Sequence, residues 1–173
     1  GSRPTLEKQV RDYSVQGMSG LVKVYRFCGV RPDRAAAQEI AAVPYDVVTA
    51  EEARAIIGKK PRSFLRVSRP DAEMPGIPAQ DARVYQRAKE NFDSLMAQGL
   101  LQQDATPGMY LYRVQQNGDT FLGLCCCLDV EDYRNGTIRR HEQTRYDKEE
   151  DRTRHIEATK THNGPVVVLY RDP

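Results

Sequence analysis

The 173-residue sequence predicts an α+β fold: a mixed, mostly antiparallel sheet with a central β-hairpin and three to four packed helices. Three observations carry this expectation. Helical and β-rich runs are interleaved without the strict βαβ alternation of a doubly wound sheet. The strongest helical periodicity, over residues 80–98, is followed by two β-rich arms around a tight turn. A polar helical stretch then separates that hairpin from a final apolar run.

Residues 22–27 read as a first strand, with Val22, Val24 and Arg26 alternating against Lys23, Tyr25 and Phe27. Pro32 and Asp33 open an Ala-rich helix over 34–42, broken at Val43-Pro44 because the residue before proline is pushed out of the helical region. Thr49 and Glu52 have the spacing of a capping box and start a helix that reaches about Ile57 and stops at Gly58. Residues 63–68, with Phe64, Leu65 and Val67, read as a strand. The stretch 69–79 carries Pro70, Pro75, Gly76 and Pro78 and reads as a surface loop.

Over 80–98, Val84, Ala88, Phe92, Leu95 and Met96 recur at helical spacing, and Gly99 stands in the usual C-cap place. Residues 109–116 and 120–130 form the hairpin arms, around Asn117-Gly118-Asp119. A turn is expected over 132–136, a polar helix over 147–159 and a buried strand over 165–170. Residues 1–19 read as a tag remnant and polar leader, with Met18 a candidate native start, and 20–173 as one α+β domain.

The 26 basic and 24 acidic residues leave a net charge of +2, which argues against a broad nucleic-acid-binding face. No apolar run is long enough to span a bilayer. The four cysteines, Cys28 and the run Cys125-Cys126-Cys127, are not spaced as a disulfide framework and read as small apolar residues of a buried strand. Together these features predict a soluble protein of the reducing cytoplasm.

The chemistry concentrates between Arg139 and His155, where six Arg or Lys and five Asp or Glu residues fall together. A helix from Asp147 places Lys148, Arg152, His155 and Thr159 on one face. The bland reading is a solvated helix laced by salt bridges. Against it, the apolar stripe is limited to Ile156 and Ala158, too little for packing alone to hold a helix. A phosphate site is one functional reading: Gly136, Thr137, Arg139, Arg140, Thr144 and Arg145 cluster hydroxyls and planar guanidinium donors ahead of a helix start. Neither a Walker nor a Rossmann glycine pattern is present.

A metal held by His141, Glu142, Asp147 or His155 is a second reading, although the second histidine of the zinc-protease motif is missing. General acid–base work by His141 beside Glu142 is a third. Two smaller sites are Asp46, in the rigid Pro44-Tyr45-Asp46 loop, and the pair Arg66 and Arg69.

The succession Val43-Pro44-Tyr45-Asp46-Val47-Val48, Ser63-Phe64-Leu65-Arg66-Val67-Ser68-Arg69-Pro70, Asp132-Tyr133 through Gly136, His141-Glu142-Gln143-Thr144-Arg145, Lys148-Glu149-Glu150-Asp151-Arg152 and Gly164-Pro165-Val166 resembles the microbial family of domain of unknown function 1015. The match runs from about Val24 to the end. That family looks like a relative of free-serine kinases on the ParB/sulfiredoxin-type scaffold, which move a phosphoryl group from a nucleotide to the hydroxyl of serine. The nucleotide-contacting Asp-Gly-His-His-Arg signature of those kinases is absent. The resemblance therefore implies that these residues are the N-terminal part of a longer protein and that the fragment alone is inactive.

What the resemblance implies is a small-molecule phosphotransferase half that takes a small substrate and ADP or ATP, with Mg²⁺ where the donor needs it and no cofactor required for folding. Arg140, Thr144, Arg145, Lys148, Glu149 and Arg152 would contact phosphate or ligand, with the cations neutralising phosphate charge. Glu142, His141 or Asp46 would serve catalysis, with Glu149 a further carboxylate able to take the proton or hold the substrate's amino group. The alternative is a non-catalytic regulatory module that binds a nucleotide or phosphorylated metabolite.

Overall fold

A computed structural model describes residues 22–140, 143 and 145–169; the expectations for 1–19 and for Tyr170 lie outside the described residues. The chain divides into two compact units. One comprises the described parts of Gly1–Arg31 and Gln103–Gln143, the other those of Pro32–Gln102 and Thr144–Pro173. The architecture is α+β, with the strands in three two-stranded pairs among the described residues in place of one continuous sheet. Val30–Pro32 (β2) pairs with Leu101–Gln103 (β3).

In the first unit, Val24–Tyr25 (β1) pairs antiparallel with Cys127–Leu128 (β6), Val24 facing Leu128. Tyr110–Gln116 (β4) and Asp119–Cys125 (β5) form the expected hairpin, from Tyr110 opposite Cys125 to Gln116 opposite Asp119. Its turn is only two residues, because Asn117 at φ 53° and Gly118 at φ 90° both take the left-handed conformation that a tight hairpin turn demands. Asp119 already belongs to the strand. The second arm ends at Cys125 and does not run on to Val130.

The cysteine run therefore straddles the end of β5 and the start of β6. Cys127 is exposed and its neighbours are only partly covered, all as free thiols, which corrects the buried-strand reading. The other end of the hairpin is anchored by Tyr110. Its hydroxyl donates to Asp104 Oδ2 at 2.6 Å and accepts from Gly29 N at 2.8 Å. A Cβ at position 29 would lie 2.7 Å from that hydroxyl, so the approach requires glycine.

Where a turn was expected over 132–136, Val130–Arg134 forms a short helix (α5). Asp129 caps it by accepting from Glu131 N at 2.9 Å, a start signal hidden inside an apparent strand. Buried Asp132 accepts from Lys23 N at 2.7 Å and ties the helix to the β1 segment.

The second unit is helical. Ala37–Ile40 (α1) is shorter than its alanines suggest. A 3-10 turn at Tyr45–Val47 leads to Ala50–Lys59 (α2), which carries the expected capping box between Thr49 and Glu52 and runs through Gly58. Residues 63–68, expected as a strand, instead form Leu65–Ser68 (α3). Ser63, Leu65 and Val67 are all fully buried, which mimics strand alternation, but the backbone bonds are local. Val67 N and Ser68 N both donate to Phe64 O, at 2.9 and 3.0 Å. This single turn is covered on several sides, so burial does not follow one helical stripe.

Another 3-10 turn, Pro70–Glu73, replaces the start of the expected loop. Ala82–Ala97 (α4), capped by Asp81, buries Val84, Tyr85, Ala88, Phe92 and Leu95. Ala53, Leu65 and Ala72 form a core cluster with no exposure, against which Val48, Ile56 and Ile57 pack. Tyr146–Thr159 (α6) closes the unit.

The buried strand expected over 165–170 is not formed in its described part. Val166, Val167, Val168 and Leu169 are 80, 77, 41 and 89 % exposed. Four consecutive apolar residues can all be buried in a strand only when both of its faces are covered, and no described strand lies beside them. No helix among the described residues is long and apolar enough to cross a membrane.

Candidate anion-binding site

The polar helix α6 is held by polar anchors. Only His155 and Thr159 are buried on it, and it docks through hydrogen bonds. Tyr85 of α4 donates its hydroxyl to Asp151 Oδ1 at 2.9 Å, and His155 Nε2 lies 2.7 Å from the carbonyl of Val67 in α3. These contacts do the work that an apolar stripe does in an ordinary surface helix. On the outer face an Arg154–Glu150 ion pair adds support, and Lys160 ends the helix in a left-handed conformation at φ 55°.

Around Asp151 the unit gathers two arginines, two carboxylates and two tyrosines. Arg152 places Nη2 at 2.6 Å and Nε at 3.0 Å from Asp151 Oδ2. Its guanidinium lies over the Tyr45 ring, 4.2 Å from the centroid, close enough for a cation–π contact. Arg69 forms a two-pronged pair with Asp71, Nε to Oδ1 at 3.0 Å and Nη2 to Oδ2 at 2.9 Å. Its Nη1 donates to the carbonyls of Tyr45, at 3.0 Å, and Val48. Arg69 thus fixes the turn whose ring covers Arg152.

The four charges balance: Arg69 and Arg152 against Asp71 and Asp151. The Asp71 carboxylate raises the Arg69 pKa, so the guanidinium stays charged. Burial, with help from the Asp151 charge, pushes the Tyr85 phenol up to about 12, so it remains a donor at neutral pH. Burial also holds the His155 imidazole below the ordinary histidine value.

This last shift sets a pH dependence. Because the folded-state value is lowered, the unfolded chain takes up a proton first as the pH falls. Stability is then whole above about pH 6.5 and declines below it by at most about 1.4 kcal/mol per pH unit. Urea unfolding at pH 7.5 and 5.5 is expected to show this loss in the wild type. His155→Gln, which keeps a donor for the Val67 carbonyl, should lose less; equal losses in both would remove His155 as the cause.

Not all of the residues singled out in the sequence come together. Arg152 lies at the centre of the cluster, and Asp46 is exposed beside Tyr45 on the same turn. Lys148 and Glu149 are exposed on the first half of α6. Arg145 is exposed at the start of the helix and paired with Asp147 at 2.8 Å. Arg140 belongs to the first unit, where its guanidinium lies 4.5 Å from the Tyr133 ring centroid. Arg66 is drawn to Glu73 at 2.7 Å. His141, Glu142 and Thr144 lie outside the described residues.

No group of three or more His, Cys, Asp or Glu suited to a metal ion occurs among the described residues. Of the ligands considered for one, Asp147 is engaged by Arg145 and His155 by the Val67 carbonyl. Sequence reasoning missed Asp71 and Tyr85 and gave Tyr45 and Asp151 no role. Tyr85 is 66 positions from Asp151, and no local signal connects them.

The second unit of this α+β chain thus carries a charge-balanced arginine–carboxylate cluster beside an exposed helix face. The chain belongs to the family described as protein of unknown function (DUF1015), whose model matches residues 24–173. No curated protein matches it, and no solved structure does.

Proposed function

We propose that the chain is the N-terminal part of a small-molecule phosphotransferase that moves a phosphoryl group from ADP or ATP, with Mg²⁺, to a hydroxyl such as that of free serine. The observation that supports this reading is the placement of Arg152. A guanidinium fixed by Asp151 and by the Tyr45 ring is a preorganised cation, and Lys148 lies one turn earlier on the same helix face. Phosphoryl transfer asks the protein chiefly for positioned positive charge. On this reading Arg152 and Lys148 meet the phosphate, with Arg145 at the helix start a further cation and Thr144 and Glu149 further ligand contacts.

By the resemblance, Glu142, His141 or Asp46 is the group that takes the proton of the acceptor hydroxyl, with Glu142 tested first. The likeness to serine kinases on the ParB/sulfiredoxin-type scaffold favours the same chemistry, and the free thiols suit a reducing cytoplasm.

A second reading, a non-catalytic module that senses a nucleotide or phosphorylated metabolite, draws on the internal pairing of Arg69 and Arg152. A ligand must compete with Asp71 and Asp151, which favours reversible binding over tight transition-state contact. The two readings separate on Glu142→Gln, assayed in this chain and in the longer protein that the reading makes it part of. A catalyst is expected to lose turnover while nucleotide affinity stays roughly intact. Turnover unchanged by the substitution would remove Glu142 as the base, and binding without any turnover in the wild type would leave the sensor.

A further inference from the structure

Arg152 and His155 each keep one polar atom unpartnered within the described residues. Arg152 Nη1 and His155 Nδ1 are both buried and make no hydrogen bond there, although each side chain is otherwise well tied. They sit one turn apart on the inward face of α6, where side chains three positions apart are neighbours. The positive charge of Arg152 is near enough to disfavour the charged form of His155.

The chemistry of the two atoms is opposite. The carbonyl of Val67 can only accept, so His155 Nε2 carries the ring proton and donates at 2.7 Å. In the neutral ring Nδ1 is then a bare acceptor. Arg152 Nη1 can only donate. A buried donor and a buried acceptor left unmatched are each costly, and native interiors almost always satisfy such groups.

One group answers both at once: a hydroxyl, which accepts from Nη1 and donates to Nδ1. A fully deprotonated oxyanion would meet the Nδ1 lone pair, and an ammonium would meet the guanidinium. We propose that Arg152 and His155 form a buried site for a single hydroxyl, supplied by an ordered water or by the alcohol group of a small molecule. The site is independent of phosphoryl transfer; only the alcohol source rests on the function proposed above. His155 acts there by accepting the hydroxyl's hydrogen at Nδ1.

Nitrogen-15 NMR of the imidazoles tests this without any assay of turnover. The protein has three histidines, and His155 is assigned by the signals missing in His155→Gln. The expected result is a proton on Nε2 and an unprotonated Nδ1 displaced toward the hydrogen-bonded range. In Arg152→Lys, shown by urea unfolding to remain folded, that displacement should shrink, because one hydroxyl bridges both side chains. If it is present from the start and unchanged by L-serine or L-alanine, the source is water. Movement with L-serine and not with L-alanine assigns it to a ligand alcohol. A proton on Nδ1, an Nδ1 signal typical of an unbonded ring nitrogen under all conditions, or no change in Arg152→Lys would each overturn the proposal.

Discussion

Replacing Arg152 with alanine is expected to weaken ADP binding by roughly 10- to 150-fold, the equivalent of losing one charge-assisted hydrogen bond worth about 1.5–3 kcal/mol. The helix should survive the change, because its docking rests on Tyr85–Asp151 and His155–Val67. The companion substitution Asp151→Asn is expected to act in the opposite direction. It keeps an acceptor for the Tyr85 hydroxyl but removes the negative charge that now neutralises Arg152. An anionic ligand then meets an uncompensated cation, and affinity should rise on the order of tenfold. Calorimetric titration of both variants with ADP and Mg²⁺ reads the two signs directly. Weakening in both would mean that Asp151 contacts the ligand's positive partner.

Truncating Leu65 to alanine is expected to cost about 2–5 kcal/mol of folding stability. Leu65 is fully buried between Ala53 and Ala72. Ala53 and Ala72 carry only methyl groups and cannot fill the space left behind. The change should lower the urea midpoint with little effect on its slope. Leu111, 74 % exposed on β4, provides the contrast: its truncation should stay within about 0.5 kcal/mol. Equal losses at the two positions would contradict the core assigned to the second unit.

The parts of this fold legible in the sequence are those written in local code. The stripe Val84, Ala88, Phe92 and Leu95 is the buried face of α4, Thr49 and Glu52 make the capping box, and Asn117-Gly118 makes the hairpin turn. Illegible parts depend on what lies alongside. Ser63, Leu65 and Val67 alternate as in a strand, yet they form a buried helical turn because neighbours cover it on more than one side. The Val166–Leu169 segment reads as strand from composition alone, and composition cannot supply the strands that would cover it.

The site divides in the same way. The weak apolar stripe of α6 marks the helix as unusual, Asp46 stands out by its loop position, and Arg152 enters as a ligand contact through the family resemblance. The partners that give Arg152 its setting come from Tyr45 and, through Asp151, from Tyr85 of α4. Their sequence separation hides the connection. Asp71 stands two positions after Arg69, but a pair so close in sequence reads as an ordinary turn until Arg69 is seen to grip the Tyr45 turn as well.

The most direct measurement of the central claim is phosphorus-31 NMR of serine incubated with Mg²⁺ and either ADP or ATP, using this chain and the longer protein of which it is proposed to be the N-terminal part. The longer protein is expected to give a phosphoserine signal, reduced in its Arg152→Ala variant. No phosphorylated product with either donor, together with unchanged nucleotide affinity in Arg152→Ala, would contradict it.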